Sequence, residues 1–216
     1  MARRLLEAAV QCRDDAVAAQ RAGASRLELC VRLDIGGLTP PDTLLREVVA
    51  AVSLPVFVLV RPRGGDFVYS QDERAEMARQ IEAAAQAGAQ GIVTGVLDGD
   101  RRIDIPATRY LVERADGLPV TFHRGFDDTP DVAEALEDVI ACGISRVLTT
   151  GGAATASEGM DMLAQLVARG GDRIAILAGG GIRAHNVRAI VERTGVREVH
   201  ARFEDEARTR ALVDLL

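Results

Sequence analysis

The sequence predicts a (β/α)8 barrel, the TIM-barrel architecture, as a single domain over residues 1–216. Three observations carry this. Short apolar, β-branched runs alternate with helix-like runs from end to end. Eight such pairs fit into 216 residues, close to the roughly 200–250 that this barrel takes. A weak internal repeat also marks every second unit: GASRLEL, GAQGIVT, GISRVLT and GVREVHA begin at Gly23, Gly88, Gly143 and Gly195. Each places a helix-ending glycine shortly before a strand. A doubly wound open sheet is the competing architecture, but no G-x-G-x-x-G follows the first strand.

Taken in order, strands are expected over 5–10 (LLEAAV), 26–30 (RLELC), 55–61 (PVFVLVR), 91–96 (GIVTGV), 118–123 (LPVTFH), 145–150 (SRVLTT), 173–178 (RIAILA) and 197–201 (REVHA). Helices are expected over 14–23, 41–52, 72–87, 107–115, 130–142, 155–169, 184–194 and 205–215. Pro41-Asp42 and Pro130-Asp131 put proline at or just before a first turn, where its missing N–H costs little. Ser70 and Glu73 have capping-box spacing.

Composition narrows the function classes. The chain is 48% hydrophobic and 27% charged, ordinary for a globular protein. A net charge of -6 argues against nucleic acid or an anionic membrane as partner. No apolar run approaches membrane-spanning length, and the opening Met-Ala-Arg-Arg-Leu-Leu-Glu runs directly into a strand pattern without a signal-peptide core. Three scattered cysteines form no disulfide framework, which points to a reducing, cytoplasmic setting. All 26 basic residues are arginine. Without lysine, neither Schiff-base chemistry nor a Walker-type phosphate loop is available.

In a barrel the site lies at the strand C-termini. The densest cluster there is Arg61-Pro62-Arg63-Gly64-Gly65-Asp66-Phe67 after the third strand. Arginines suit carboxylates or phosphates, and Gly-Gly lets the loop fold over a ligand. Strand alternation turns Glu28 and Cys30 inward in the second strand, Thr121 and His123 together in the fifth, and Glu198 and His200 together in the eighth. Buried polar groups need partners, so Glu7, Glu28, Arg61 and His123 are expected to form one network. A purely structural salt bridge is the alternative. His123 is the candidate proton-transfer residue, because imidazole titrates near neutrality; Glu28, Arg61 and Asp66 join it as candidate catalytic groups. Gly179-Gly180-Gly181 after the seventh strand resembles a phosphate-gripping turn. Gly152, in Thr150-Gly151-Gly152, and Arg63 add candidate anion donors.

LELC (27–30), GGLTP (36–40), RPRGGDFVYS (61–70), GVLDGDRRID (95–104), TFHRGFD (121–127), LTTGG (148–152) and AGGGIRAHNV (178–187) together resemble the CutC family, named copper homeostasis proteins. The match runs along nearly the whole chain. The resemblance implies a cytoplasmic TIM barrel, a homodimer, and a role in copper tolerance or Cu(I) handling. Cys30 is then the candidate metal ligand, although Ala9 stands where the family commonly carries an inward cysteine. Cu(I) prefers converging soft sulfur ligands. An Arg/Glu/His cluster above a glycine turn suits instead an enzyme acting on a small anionic metabolite, phosphorylated or carboxylated. Both readings stay open at this stage.

Overall fold

The computed structural model describes residues 4–216; the expected run-in from Met1 to Arg3 lies outside them. The apolar runs form eight short parallel strands: β1 (Leu5–Val10), β2 (Arg26–Leu29), β3 (Val56–Leu59), β4 (Gly91–Thr94), β5 (Val120–Phe122), β6 (Arg146–Thr149), β7 (Ala175–Ala178) and β8 (Glu198–Arg202). Each pairs with the next, and β8 returns to β1, so the sheet closes as a (β/α)8 TIM barrel. The helices that follow the strands are α1 (Arg13–Arg21), α2 (Asp42–Ala51), α3 (Gln71–Gln86), α4 (Ile105–Arg114), α5 (Val132–Ala141), α6 (Met160–Gly170), α7 (Val187–Thr194) and α8 (Glu206–Val213). Among the described residues, no helix is long and apolar enough to cross a membrane.

Local chemistry sets the element ends. Ser70 and Glu73 form the reciprocal capping box that opens α3. Asp131 caps α5 by accepting from the amides of Ala133 and Glu134. Gly23, Gly88, Gly143 and Gly195 take φ between +75° and +96°, a conformation other residues adopt only at a cost. The helix expected from 155 begins only at Met160. Before it, the chain doubles back so tightly that a Cβ on Gly159 would lie 1.8 Å from the Thr150 carbonyl oxygen.

Strand alternation produces two cores. Leu27, Leu29, Val56, Val58, Ile92 and Val120 face the helices in the larger one, where burying each such side chain contributes about 1.5–3 kcal/mol. Cys30, Phe57, Leu59 and Val93 pack inside the barrel. Gly91 makes room there, since a Cβ would meet the Phe57 ring at 2.4 Å. The Arg26 and Arg146 guanidiniums flank that ring, 4.9 and 5.4 Å from its centroid. The inward, polar positions thus fall into two levels, one at each end of the barrel.

Candidate active site at the strand ends

At the C-terminal ends of the strands lies a pocket of about 500 Å³. Glu28, Arg61, Phe67, His123, Arg124, Gly180, Gly181, Arg183, His200 and Arg202 are among its walls. A cavity of about 400 Å³ at the opposite end is lined mainly by Val167, Ile174, Ile176, Val196, Arg197 and Glu198. What separates the two is unmet hydrogen bonding. Five buried side-chain atoms find no partner among the described residues: Glu28 Oε2, Arg61 Nε, Tyr69 OH, Thr108 Oγ1 and His123 Nε2. Three of these belong to the strand-end pocket and none to the other cavity.

The expected single network of Glu7, Glu28, Arg61 and His123 divides in two. Glu7 is paired with Arg26, and its other oxygen lies 2.8 Å from His200 Nδ1. Arg26 also donates to Glu198 at 2.7 Å, and Arg146 donates to Glu198 at 2.5 Å and to Thr121 at 3.3 Å. Arg61 pairs with no carboxylate among the described residues. Its Nη1 donates to the carbonyls of Ile35 and Gly37, and its Nη2 to that of Gly65, at 2.9–3.0 Å. The guanidinium also stacks 5.0 Å from the Phe67 centroid. Burial leaves it few water partners, and loop carbonyls replace them.

Three titratable groups stand between these levels. Burial pushes the Glu28 carboxyl up to about 7; the Glu7 charge adds to this, and His200 and Arg26 offset only part. Burial would also raise Glu7, but His200 and Arg26 outweigh it and hold Glu7 at about 2. His200 lies 3.9 Å from Glu28. Burial pushes its imidazole down, yet Glu28 and Glu7 prevail and keep it above the ordinary value. Glu28 and His200 therefore titrate as a coupled pair, with burial raising the carboxyl and the two carboxylates favouring the charged imidazole.

His123 behaves differently. Burial, reinforced by the Arg61 charge, pushes its imidazole down to about 3. Nδ1 accepts from the Gly125 amide at 3.1 Å, which assigns the proton of the neutral ring to Nε2. The ring packs against Phe67 with centroids 4.5 Å apart. His123 is therefore a neutral hydrogen-bond donor at neutral pH, whereas the sequence suggested a group titrating there.

The remaining candidates scatter. Arg63 lies outside the pocket walls, bonded to Glu73 at 2.5 Å, Asp66 at 3.0 Å and the Val68 carbonyl at 2.7 Å. Asp66 is exposed and accepts from Arg63 and the Val68 amide. The expected donors at Thr150-Gly151-Gly152 are already taken. Asp127 accepts from Thr149 Oγ1 at 2.5 Å and from the amides of Thr150 and Gly152 at 3.0–3.1 Å. Gly179 sits below the pocket against Leu148 and His200, and its amide is spent on the Thr149 carbonyl. Gly180 and Gly181 do line the pocket. Arg124, next to His123 at the end of the fifth strand, lines the pocket too, and so do Arg183 and Arg202, which the sequence reading does not single out. Alternation could have found Arg202, two residues beyond His200.

Soft metal donors do not converge. Cys30 is fully buried among Phe57, Leu59 and Val93, and burial plus the nearby Glu28 charge push its thiol up. Cys12 is exposed and caps α1 through Sγ, and Cys142 lies in the larger core. One group of potential ligands exists among the described residues: Glu7, Glu28 and His200, with ligand atoms within 4.8 Å of one another. Two carboxylates and an imidazole are the wrong set for Cu(I), and Arg26 already binds Glu7.

A closed parallel barrel with a partly unpaired acid, a neutral imidazole and several guanidiniums around its strand-end pocket defines a TIM-barrel protein with a polar pocket at the usual end of the sheet. The CutC family model matches residues 4–205, and the chain belongs to the CutC family. A CutC family protein of Xanthomonas campestris pv. campestris (strain B100) is 47% identical over 196 residues, 91% of this chain and 82% of the relative. One from Pasteurella multocida is 46% identical over 182 residues, 84% of this chain and 75% of the relative. A crystal structure from Streptococcus agalactiae, described as a candidate copper homeostasis protein CutC, superposes with a TM-score of 0.87 at 32% identity. It covers 91% of this chain and 97% of its own. N-(5'-phosphoribosyl)anthranilate isomerase from Pyrococcus furiosus, at 15% identity, TM-score 0.65 and 98% coverage of both chains, shares the fold.

Proposed function

We propose that the chain is an enzyme performing acid–base chemistry on a small anionic metabolite, phosphorylated or carboxylated, in the strand-end pocket. The observation that carries this is Glu28, a buried carboxyl with one oxygen unpartnered and a titration near 7. A carboxylate kept for architecture is paired, as Glu7 is. Glu28 takes or returns the proton, with His200 behind it adjusting its charge. His123 presents Nε2–H to a substrate oxygen, the role of a neutral imidazole held beside a fixed positive charge. Arg61 supplies that charge, while Arg63 and Asp66 hold the loop above it. Without lysine, the chemistry is isomerase, lyase or hydrolase in type rather than Schiff-base cleavage.

Thermal-shift screening of phosphorylated and carboxylated metabolites tests this on the wild type, Glu28→Gln and Arg61→Ala. At least one anion should stabilise both the wild type and Glu28→Gln. Turnover of that compound, or exchange of its carbon-bound protons in D2O, should be lost in Glu28→Gln. A folded wild type that no anion stabilises overturns the reading.

Copper handling is the second reading, favoured by the role in the Streptococcus relative's name and by Cys30, the inward thiol close enough to feel the Glu28 charge. Titration of reduced protein with Cu(I) against a competing chelator tests it. Tight stoichiometric binding lost in Cys30→Ser supports it, and binding unchanged in that variant removes Cys30 from the role. A cytoplasmic location and a homodimer belong to the same proposal. The three free thiols support the first, and sedimentation at several protein concentrations tests the second.

A further inference from the structure

The turn after β6 is a ready anion seat, and the protein fills it with its own carboxylate. The Asp127 side chain is 6% exposed. Its Oδ1 accepts from Thr149 Oγ1 and from the Thr150 and Gly152 amides. Its Oδ2 accepts from the Thr150 amide and, at 3.1 Å, from Arg124 Nε. With Nε fixed, the planar guanidinium has one edge tied down and its outer nitrogens turned to the pocket wall. Those nitrogens have no partner among the described residues, whereas Arg183 is held by Glu204 and the Ile182 carbonyl.

Arg124 is aimed at the next turn. A Cβ on Gly180 would lie 3.5 Å from Arg124 Nη1 and 2.4 Å from Thr150 Cγ2, so glycine alone leaves the space open. Gly180 and Gly181 take φ of +87° and +78°, and their amides have no acceptor among the described residues. His123 Nε2, buried and unpartnered, opens onto the same pocket. Arg124, the two glycine amides and His123 Nε2 are thus donors around one pocket that lack an acceptor among the described residues, while the neighbouring turn is closed to ligand.

We infer that a phosphoryl group is held between the Arg124 guanidinium and the Gly180–Gly181 turn, with Asp127 as the positioning residue that aims Arg124 there. This rests on the anionic-substrate reading above and gives its anion a place. The phosphoryl oxygens accept from the guanidinium edge and the backbone amides. Asp127 touches no ligand and acts through Arg124. Arg202, exposed at the end of β8, contributes only general positive charge.

Calorimetric titration with inorganic phosphate, at fixed ionic strength, tests the subsite in the full chain. Arg124→Met should weaken phosphate roughly tenfold to a hundredfold, and Arg124→Lys should recover part of the loss. Asp127→Asn should weaken it about threefold to tenfold in the wild-type background and not at all in Arg124→Met. That second leg separates positioning from simple loss of structure, because a structural defect persists without Arg124. Arg202→Met should change little. Phosphate that binds equally well to Arg124→Met but is lost in Arg202→Met or Arg61→Ala overturns the subsite and leaves the anionic-substrate reading standing. Equal Asp127→Asn effects in both backgrounds overturn the positioning role. A wild type that binds neither phosphate nor any metabolite in the thermal-shift screen overturns both.

Discussion

The two ends of the barrel bury the same kinds of charge and treat them differently. At the N-terminal end, Glu7, Arg26, Glu198 and Arg146 form an unbroken chain of ion pairs, with Phe57 stacked between the arginines. At the C-terminal end, Glu28, His123 and Arg61 are as deeply buried, yet each keeps an atom without a partner. Burial and charge alone do not distinguish architecture from chemistry. Pairing does, because a protein gains nothing structural from an unmet donor or acceptor and tolerates it where a ligand completes the set.

Breaking the paired end should have the largest effect. Arg26→Met leaves Glu7 and Glu198 buried and short of a counter-charge, and should cost about 3–5 kcal/mol in urea unfolding. A loss below about 1 kcal/mol would erase the contrast between the two ends.

The unpaired end should reveal itself through pH. The fold keeps a proton on Glu28 up to about 7, while an unfolded chain releases it above 4.5. Its contribution to stability therefore falls as pH rises across that window. His123 is held neutral down to about 3, while unfolded it protonates below 6.5, so its contribution falls as pH falls. Between 4.5 and 6.5 these slopes oppose, each up to about 1.4 kcal/mol per pH unit. Glu7 acts below this window and His200 above it. Wild-type stability should be nearly flat there, and Glu28→Gln should unmask a rise with pH that unfolding curves at three pH values would show. A flat profile in Glu28→Gln would mean that His123 is not held neutral.

Arg61→Ala removes three hydrogen bonds to carbonyls and should cost about 1.5–3 kcal/mol, less than Arg26→Met because no carboxylate is stranded. The smallest effect belongs to the surface. Arg102 and Glu134 are more than half exposed, so Arg102→Ala should stay within about 0.5 kcal/mol of wild type in the same assay. A larger loss would show that the contrast is not one of burial.

How much of this was legible depended on which geometric variable a residue type reports. Apolar runs and glycine repeats reported the strands, and β1 falls over the expected residues. Alternation reported which way Glu28, Cys30 and His123 face. It did not report height along the barrel axis, which the stagger between strands sets. Glu7 is level with Arg26 on one side and His200 on the other, so its partner is an arginine at a strand's start rather than Arg61 at a strand's end. The glycines at 151–152 were legible as an anion seat, but not that Asp127, more than 20 positions upstream, already sits in it.

Arg61 has a further consequence for how such a barrel can be altered. Its guanidinium ties Ile35 and Gly37 to Gly65, and its own backbone exchanges hydrogen bonds with Thr39. The segments after β2 and β3 are thus stitched by one side chain that belongs to only one of them. A chimera that transplants either loop alone should therefore lose these hydrogen bonds, whereas one that carries both loops together should keep them.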